Sequence, residues 1–471
     1  MKRRESLFAL GALLATAGCT TLGPTYEVPA TDTPVAFKEG QGVWQRAVPA
    51  DAADRGPWWE LFQDPILNGL VAQVEVSNQN VAAAVAAYAQ ARALTAEQRA
   101  SLFPVVALDS SGNRSGGGGS TPTRGSYQVN IGASWEPDVW GRLRLGVQGA
   151  RASEQATLAD LASARLSAQG ELAVNYFNLR EADVQRALLA ETIEGYKRSA
   201  QIARNRYEAG VVARTDVFQA ETQLANTQAD ILTLERQRAQ LEHAIAVLVG
   251  KAPAHFSLPA QPKWQVHLPE IPEALPSTLL QRRPDIAAAE RRVEQANTRI
   301  GIAQAGFYPS IRLSGSVGLS AASIGDLFSA SALVWSLGAS LAQTLFNGGA
   351  TRAQVAQARA GLEESAARYR QTVLTAFQDV EDQLVALRIL ARQLVLRAEA
   401  SRAAELVEQQ VLNRYRSGLV NYTEVVTAQA SAASARRALV TAQADRQVAA
   451  VSLIQALGGG WQGIAAEPAA R

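Results

Sequence analysis

The chain has 471 residues, 47% of them hydrophobic, and its 45 Lys and Arg against 43 Asp and Glu leave a formal charge of +2. That balance excludes the electrostatic footprint of a nucleic-acid binder, and a mean hydropathy near zero excludes both a disordered chain and a polytopic helical membrane protein. The length allows two or three domains or one elongated one, and a single cysteine, Cys19, excludes any disulfide within the chain.

Lys2, Arg3 and Arg4 precede an apolar run from Leu7 to Leu14, and Ala-Thr-Ala-Gly leads to Cys19. A basic start, a short apolar stretch and small residues at the cut form an export signal over residues 1–18, too short to span a membrane. A sole cysteine directly after such a signal resembles the lipidated first residue of a bacterial lipoprotein, with Thr16 where that box usually carries an aliphatic residue. The other reading of Cys19 is a free or buried thiol. By the same resemblance, Thr20 after the cysteine implies delivery to the outer membrane. Residues 19–56, rich in Pro, Thr, Asp and Gly, read as a lipid-anchored, mostly extended arm.

A first structural repeat is expected over 57–250. Trp58, Trp59 and Phe62 anchor a short helix, and Asn80 opens a helix that ends before Pro104. Strands are expected at about 103–113 and 126–136, then a helical hairpin over 143–249. The first arm of that hairpin, if continuous, is roughly 100 Å long. Its apolar residues, including Leu158, Leu161, Leu172, Tyr176, Leu179 and Leu188, recur at helical intervals amid Ala, Gln and Arg, which suits close helix–helix packing. Residues 251–276 are Pro-rich and read as a linker.

A second repeat is expected over 277–457, with strands at about 308–320 and 332–342 and a hairpin over 350–456, before a tail of residues 458–471. Arg283-Pro284-Asp285 places a proline in a first helical turn and an acid near its positive end. Matches in order indicate an internal duplication: Asn80 with Asp285 at an offset of 205, Gly132 with Gly338 at 206, and Arg206 with Arg414 at 208. The last pair opens two matching segments, RYEAGVVARTDVFQAE and RYRSGLVNYTEVVTAQ. In each, Gly210 or Gly418 stops a helix, and Thr215-Asp216 or Thr423-Glu424 supports the start of the next.

The strands carry the sharpest signal. Tyr127, Val129, Ile131, Ala133 and Trp135 alternate with Gln128, Asn130, Gly132 and Ser134. Leu313 and Val317 head a second apolar series, and Trp335 and Leu337 a third, while Val106 to Ser110 is shorter and noisier. The apolar residues suit a lipid-facing surface, and the Gly- and Ser-rich opposite face argues against a charged, soluble one. Four strands cannot close a barrel in lipid, so a spanning chain must pool its strands with copies of itself. A dimer supplies eight and a trimer twelve; a duct for organic solutes favours twelve.

In series, GPWWELFQDPILNGLV, WEPDVWGRLR at Trp135, YEAGVVARTDVFQAE, RRPDIAAAE, LFNGG at Leu345 and YRSGLVNYTEVVTAQ resemble the TolC-like outer-membrane channels of tripartite RND efflux pumps, most closely their lipoprotein branch of OprM and NodT type. The resemblance covers nearly all of the mature chain. It implies a mainly α fold with transmembrane β: a homotrimeric 12-stranded β-barrel continued by a 12-helix periplasmic α-barrel. It also implies a periplasmic membrane-fusion adaptor and an inner-membrane efflux pump as partners, with outer-membrane lipid around the strands. The hairpin tips, at Gly210, Val211, Asp216, Gly418 and Leu419, correspond to the adaptor-docking end. Glu424 corresponds to the family's first gate acid; Thr427 stands in place of the second, leaving one carboxylate ring rather than two. Tyr415, Arg416 and Tyr422 are further gate candidates, and Glu424 has a plainer reading as a helix-start residue. The chain is expected to be no enzyme, with no cofactor and no nucleic acid. His243, His255 and His267 sit twelve residues apart without a second ligand type, so no metal is expected. The alternative function is a lipid-anchored periplasmic coiled-coil adaptor or scaffold, which usually has one hairpin rather than two.

Overall fold

The computed structural model describes residues 22–39, 57–116, 124–269 and 283–459. The signal 1–18, Cys19, arm residues 40–56, loop residues 117–123, linker residues 270–282 and tail residues 460–471 lie outside the described residues. A short 3₁₀ turn (Trp58–Phe62) leads into α1 (Pro65–Ser77), α2 (Gln79–Ala100), β1 (Val105–Ser115), β2 (Arg124–Trp135), α3 (Arg142–Glu208) and α4 (Arg214–Leu248). The second half supplies α5 (Pro284–Ala305), β3 (Ser310–Ala321), β4 (Leu333–Ala342), α6 (Ala350–Arg416) and α7 (Tyr422–Ala456). Corresponding helices match in length: 22 residues for α2 and α5, 67 for α3 and α6, and 35 for α4 and α7. At 1.5 Å per residue, α3 and α6 are each about 100 Å long. Among the described residues, no helix is long and apolar enough to cross a membrane.

Two compact units emerge, and α3 and α6 contribute to both. The first holds one antiparallel sheet in the order β1-β2-β3-β4. Val106 to Ser110 extends further than its noisy alternation suggests, because β1 pairs with β2 along all eleven residues from Val105 to Ser115. The WEPDVW motif then turns the chain from strand to helix. Gly141 takes φ +75°, and both Asp138 oxygens accept from the start of α3, at 3.0 Å from the Leu143 N–H and 2.9 Å from the Arg144 N–H. Trp140 donates to the Pro309 carbonyl at 2.7 Å and lies over Tyr308, 4.8 Å between ring centroids. The arm of residues 22–30 crosses α5, where Asn297 donates to the Pro24 carbonyl at 2.9 Å. It passes so close to Gly301 that a Cβ there would meet the Leu22 carbonyl oxygen at 2.1 Å.

The second unit is built on an aromatic cluster. Phe62 packs on Phe177 at 5.1 Å and Phe177 on Trp264 at 5.8 Å, and Trp58 donates to Gln169 at 3.2 Å. Asp64 caps α1 by accepting from Ile66 and Leu67, with Pro65 in the first turn, and takes the Tyr176 hydroxyl at 2.5 Å. Asn78, not Asn80, starts α2: its Oδ1 accepts from Asn80 and Val81 while its Nδ2 donates to the Leu248 carbonyl at 2.8 Å. Along α3 the inward side chains are Leu161, Leu172, Tyr176, Leu179 and Leu189; Leu158 and Leu188 are only half-buried.

The Pro-rich segment after α4 is no free tether. Asp183, fully buried, accepts from Arg180 at 2.9 Å, Arg238 at 2.6 Å and the Gln261 N–H at 3.0 Å. Arg180 also donates to the Pro259 carbonyl at 2.8 Å, Arg238 donates to the Leu258 carbonyl at 2.6 Å, and Glu242 accepts from the Leu258 N–H. One carboxylate thus orients two guanidinia that hold the segment down by its backbone. Removing one partner of a buried ionic group leaves the other charge without compensation. Asp183→Ala is therefore expected to destabilise the fold by about 3–5 kcal/mol. A thermal melt of the purified protein against wild type checks this, and an unchanged midpoint contradicts the role given to Asp183.

Candidate functional site

Both hairpin tips are the same turn built twice. Gly210 and Gly418 sit at φ +71° and +75°, a region that L side chains rarely adopt. At the first tip the Gly210 N–H donates to the Tyr207 carbonyl and the Val211 N–H to the Arg206 carbonyl, both at 2.9 Å. At the second the Gly418 N–H donates to Tyr415 and the Leu419 N–H to Arg414, again at 2.9 Å. These paired bonds satisfy the last carbonyls of α3 and α6, the Schellman pattern. The next residues differ. Helix α7 is capped by Asn421, whose side chain accepts from the Glu424 N–H at 3.1 Å; the expected support from Thr423 is not used as a cap. Helix α4 has Ala213 at its N-cap and no side-chain cap, so Asp216 does not cap it, although it lies in the first turn where its charge suits the positive helix end. The Asn-x-x-Glu spacing at 421–424 was the available signal for this cap.

Behind the tips the two copies share one small core: Ala200, Ala203, Val217 and Ala220 from the first, Tyr415, Tyr422 and Val425 from the second. The tyrosine rings meet edge to face at 5.2 Å and are 1% and 2% exposed, so they act here as packing groups. Burial pushes the Tyr422 hydroxyl well above the usual phenol range, and Tyr415, Tyr196 and Asp216 act in the same sense. Tyr415 is raised by burial and then by Asp216, against the opposing charge of Arg206. Both therefore stay neutral at physiological pH. Arg206 lies over the Tyr415 ring at 4.7 Å and donates to the Tyr415 carbonyl. Sequence reasoning missed Arg206, because nothing separates it from its counterpart Arg414. Arg416, Glu424 and Thr427 are exposed, and Thr427 donates to the Thr423 carbonyl at 2.9 Å. Val211 and Leu419 expose apolar side chains at the turns themselves.

In the sheet, strand register decides which side chains share a face, because directly opposed residues point the same way. Leu108, Ile131, Val317 and Trp335 form one cross-strand row, and Val106, Ala133, Gly315 and Leu337 the next. Tyr127, Val129, Trp135 and Leu313 fall on this same face. Every member of the Leu108 row is between 49% and 76% exposed. The opposite face carries rows such as Ala107, Gly132, Ser316 and Ser336, with the last two hydroxyls 2.9 Å apart. Strands β1 and β4 are exposed along their whole length. Cys19 lies outside the described residues. Among the described residues, no group of three or more acidic or histidine side chains converges to hold a metal.

A family model described as outer membrane efflux protein matches residues 70–251 and 275–459. The chain is 31% identical over 468 residues to the probable efflux pump outer membrane protein TtgC of Pseudomonas putida, covering 97% of this chain and 96% of that protein. It is 32% identical over 473 residues to the outer membrane protein OprJ of Pseudomonas aeruginosa, covering 97% of each. Its fold matches the open-state MtrE outer membrane channel of Neisseria gonorrhoeae with a TM-score of 0.85 at 31% identity, over 94% of this chain and 98% of that one. The periplasmic scaffold or adaptor is thereby set aside. The chain belongs to the outer membrane efflux protein family, the TolC-like channels, and is an outer-membrane efflux channel rather than an enzyme.

Proposed function

We propose that three copies of this chain pool their sheets into a closed twelve-stranded barrel in the outer membrane, continued in the periplasm by a barrel of twelve helices. The observation that carries this is the register: eight candidate lipid-facing residues, Tyr127 to Leu337, share a face whose reverse is Gly- and Ser-rich, on a sheet with two open edges. Open edges are not tolerated in hydrocarbon, and pairing β1 of one copy with β4 of the next removes them. The repeats 57–250 and 277–457, joined by 251–276, supply equal shares to both barrels. Cys19 carries the lipid anchor, as in the lipoprotein branch of the family. The protein is a passive conduit for small molecules. A periplasmic adaptor docks at Gly210, Val211, Asp216, Gly418 and Leu419, and an inner-membrane pump supplies the energy.

A lysine on the lipid side of a transmembrane strand costs about 2–4 kcal/mol near the bilayer midplane, whereas a lumen position tolerates it. Ile131→Lys is expected to lose the SDS-resistant, heat-modifiable trimer from outer-membrane fractions, and Ser316→Lys, on the opposite face, to keep it. Equal assembly of the two variants removes the assignment of faces.

The mouth of this conduit is formed by the second tip, with Glu424 as a single ring of carboxylates and Thr427 beyond it. Tyr415, Arg416 and Tyr422 set how far that tip opens. A lone acidic ring at a constriction favours cations. Single-channel recordings of Glu424→Ala trimers are expected to show weaker preference for cations over anions; selectivity equal to wild type takes Glu424 out of the pore.

A further inference from the structure

We propose that Arg114 binds a phosphate group of a lipid headgroup at the outer rim of the sheet, where the apolar face meets the membrane surface. The proposal rests on the reading of that face as lipid-facing. Helices α2, α3, α5 and α6 all join the strands at one end of the sheet, next to Val105, Trp135, Ser310 and Ala342. With those helices in the periplasm, the other end lies toward the outer leaflet. Arg114 stands at that end. It pairs with Gly125, two residues beyond the Gly112–Tyr127 pair, and so falls on the face that carries Leu108 and Ile131. Among the described strand residues it is the only charged one on that face. Asp109, Arg124 and Arg312 all fall on the Gly- and Ser-rich side.

Height decides what Arg114 meets. Its partner Gly125 stands ten residues from Trp135 along β2. At about 3.4 Å per residue and a tilt of about 40°, that is about 26 Å across the membrane, against about 25 Å for the apolar band of a transmembrane barrel. The guanidinium therefore leaves the hydrocarbon at headgroup level, where an outward charge is tolerated and a flexible stem carries it to the anionic layer. Tyr127 marks the same level. Its ring fills the space beside the bare backbones of Gly112 and Gly125, where a Cβ would stand only 3.2 Å and 3.1 Å from it. Arg114 is its diagonal neighbour across the strands, about 7–8 Å away, so both side chains reach one group. Arg114 is exposed and has no ion-pair or hydrogen-bond partner among the described residues. A planar guanidinium with free donors holds a phosphate by two parallel bonds, and the phenol adds a third donor. Pairing of β1 with a neighbouring β4 leaves Arg114 on this face, because side-chain alternation does not depend on the partner strand.

Native mass spectrometry of purified trimers titrated with lipid A, a glucosamine lipid carrying two phosphates, tests this contact. Arg114→Gln is expected to weaken binding several-fold, and Arg114→Lys to fall between it and wild type. Arg124→Gln, which removes the same charge from the other face at the same height, is expected to bind like wild type. Lipid A stripped of its phosphates is expected to bind wild type as weakly as intact lipid A binds Arg114→Gln. Inorganic phosphate at the same concentration is expected to leave lipid binding unchanged. Equal binding by Arg114→Gln and wild type, or an equal loss in Arg124→Gln, overturns the contact. Displacement of the lipid by inorganic phosphate overturns the lipid as its source. Should Arg114→Gln not assemble, equal binding of intact and stripped lipid A by wild type overturns the contact alone. If Ile131→Lys and Ser316→Lys assemble alike, the lipid face itself is lost; a difference between them with no effect at Arg114 removes only the headgroup contact.

Discussion

The open edges of one four-stranded sheet govern how this chain can work. Strands β1 and β4 each present an unpaired row of backbone donors and acceptors, beside a face whose central rows, such as Leu108, Ile131, Val317 and Trp335, are apolar. In water such edges invite uncontrolled pairing, and in lipid they are forbidden. In the proposed trimer a further copy of the same chain supplies the matching edge without any new chemistry. The rest of the sequence answers to that need. Gly and Ser keep the other face small and wettable, and the WEPDVW turn hands the chain from strand to helix through the Asp138 cap.

The duplication explains why one solution suffices for both halves, and also where the halves part. The helix pairs α2 and α5, α3 and α6, and α4 and α7 agree in length, and both tips end in the same glycine turn. The next helix is capped by Asn421 in the second copy and uncapped at Ala213 in the first. The two tyrosines of the shared core both come from the second copy, while the small residues Ala200, Ala203 and Ala220 come from the first. One copy thus provides the socket and the other the plug.

Much of this was legible from the sequence, for identifiable reasons. Strand faces were readable because alternation has a period of two and an opposite face of Gly and Ser leaves little ambiguity about which side is apolar. The long helices were readable because their Ala-rich periodicity runs without a proline and tolerates its internal glycines, such as Gly170 and Gly361, until the turns at Gly210, Gly250 and Gly418. The caps at Asn78 and Asn421 were displaced by two or three residues in the reading, since several polar residues crowd each helix start. The Asp183 network was invisible: Arg180, Asp183, Arg238 and the Leu258–Gln261 backbone are far apart in the chain. Nothing in local spacing brings them together, and a proline-rich stretch reads as a linker until its carbonyls find partners.

The same limit bears on the tips. Tyr415 and Tyr422 are gate candidates by resemblance, and their burial makes them packing groups whose hydroxyls are raised above the usual phenol range. Besides the cap at Asn421, the tips differ in a contact across the duplication, and such a contact leaves no mark on either copy alone. Arg206 and Arg414 are the same letter in the same frame; only the fold gives the first a ring and a carbonyl to hold. A duplicated sequence can therefore look symmetric at one position while its contacts there are not, and this difference adds to those the sequence itself carries at Ala213 and Asn421.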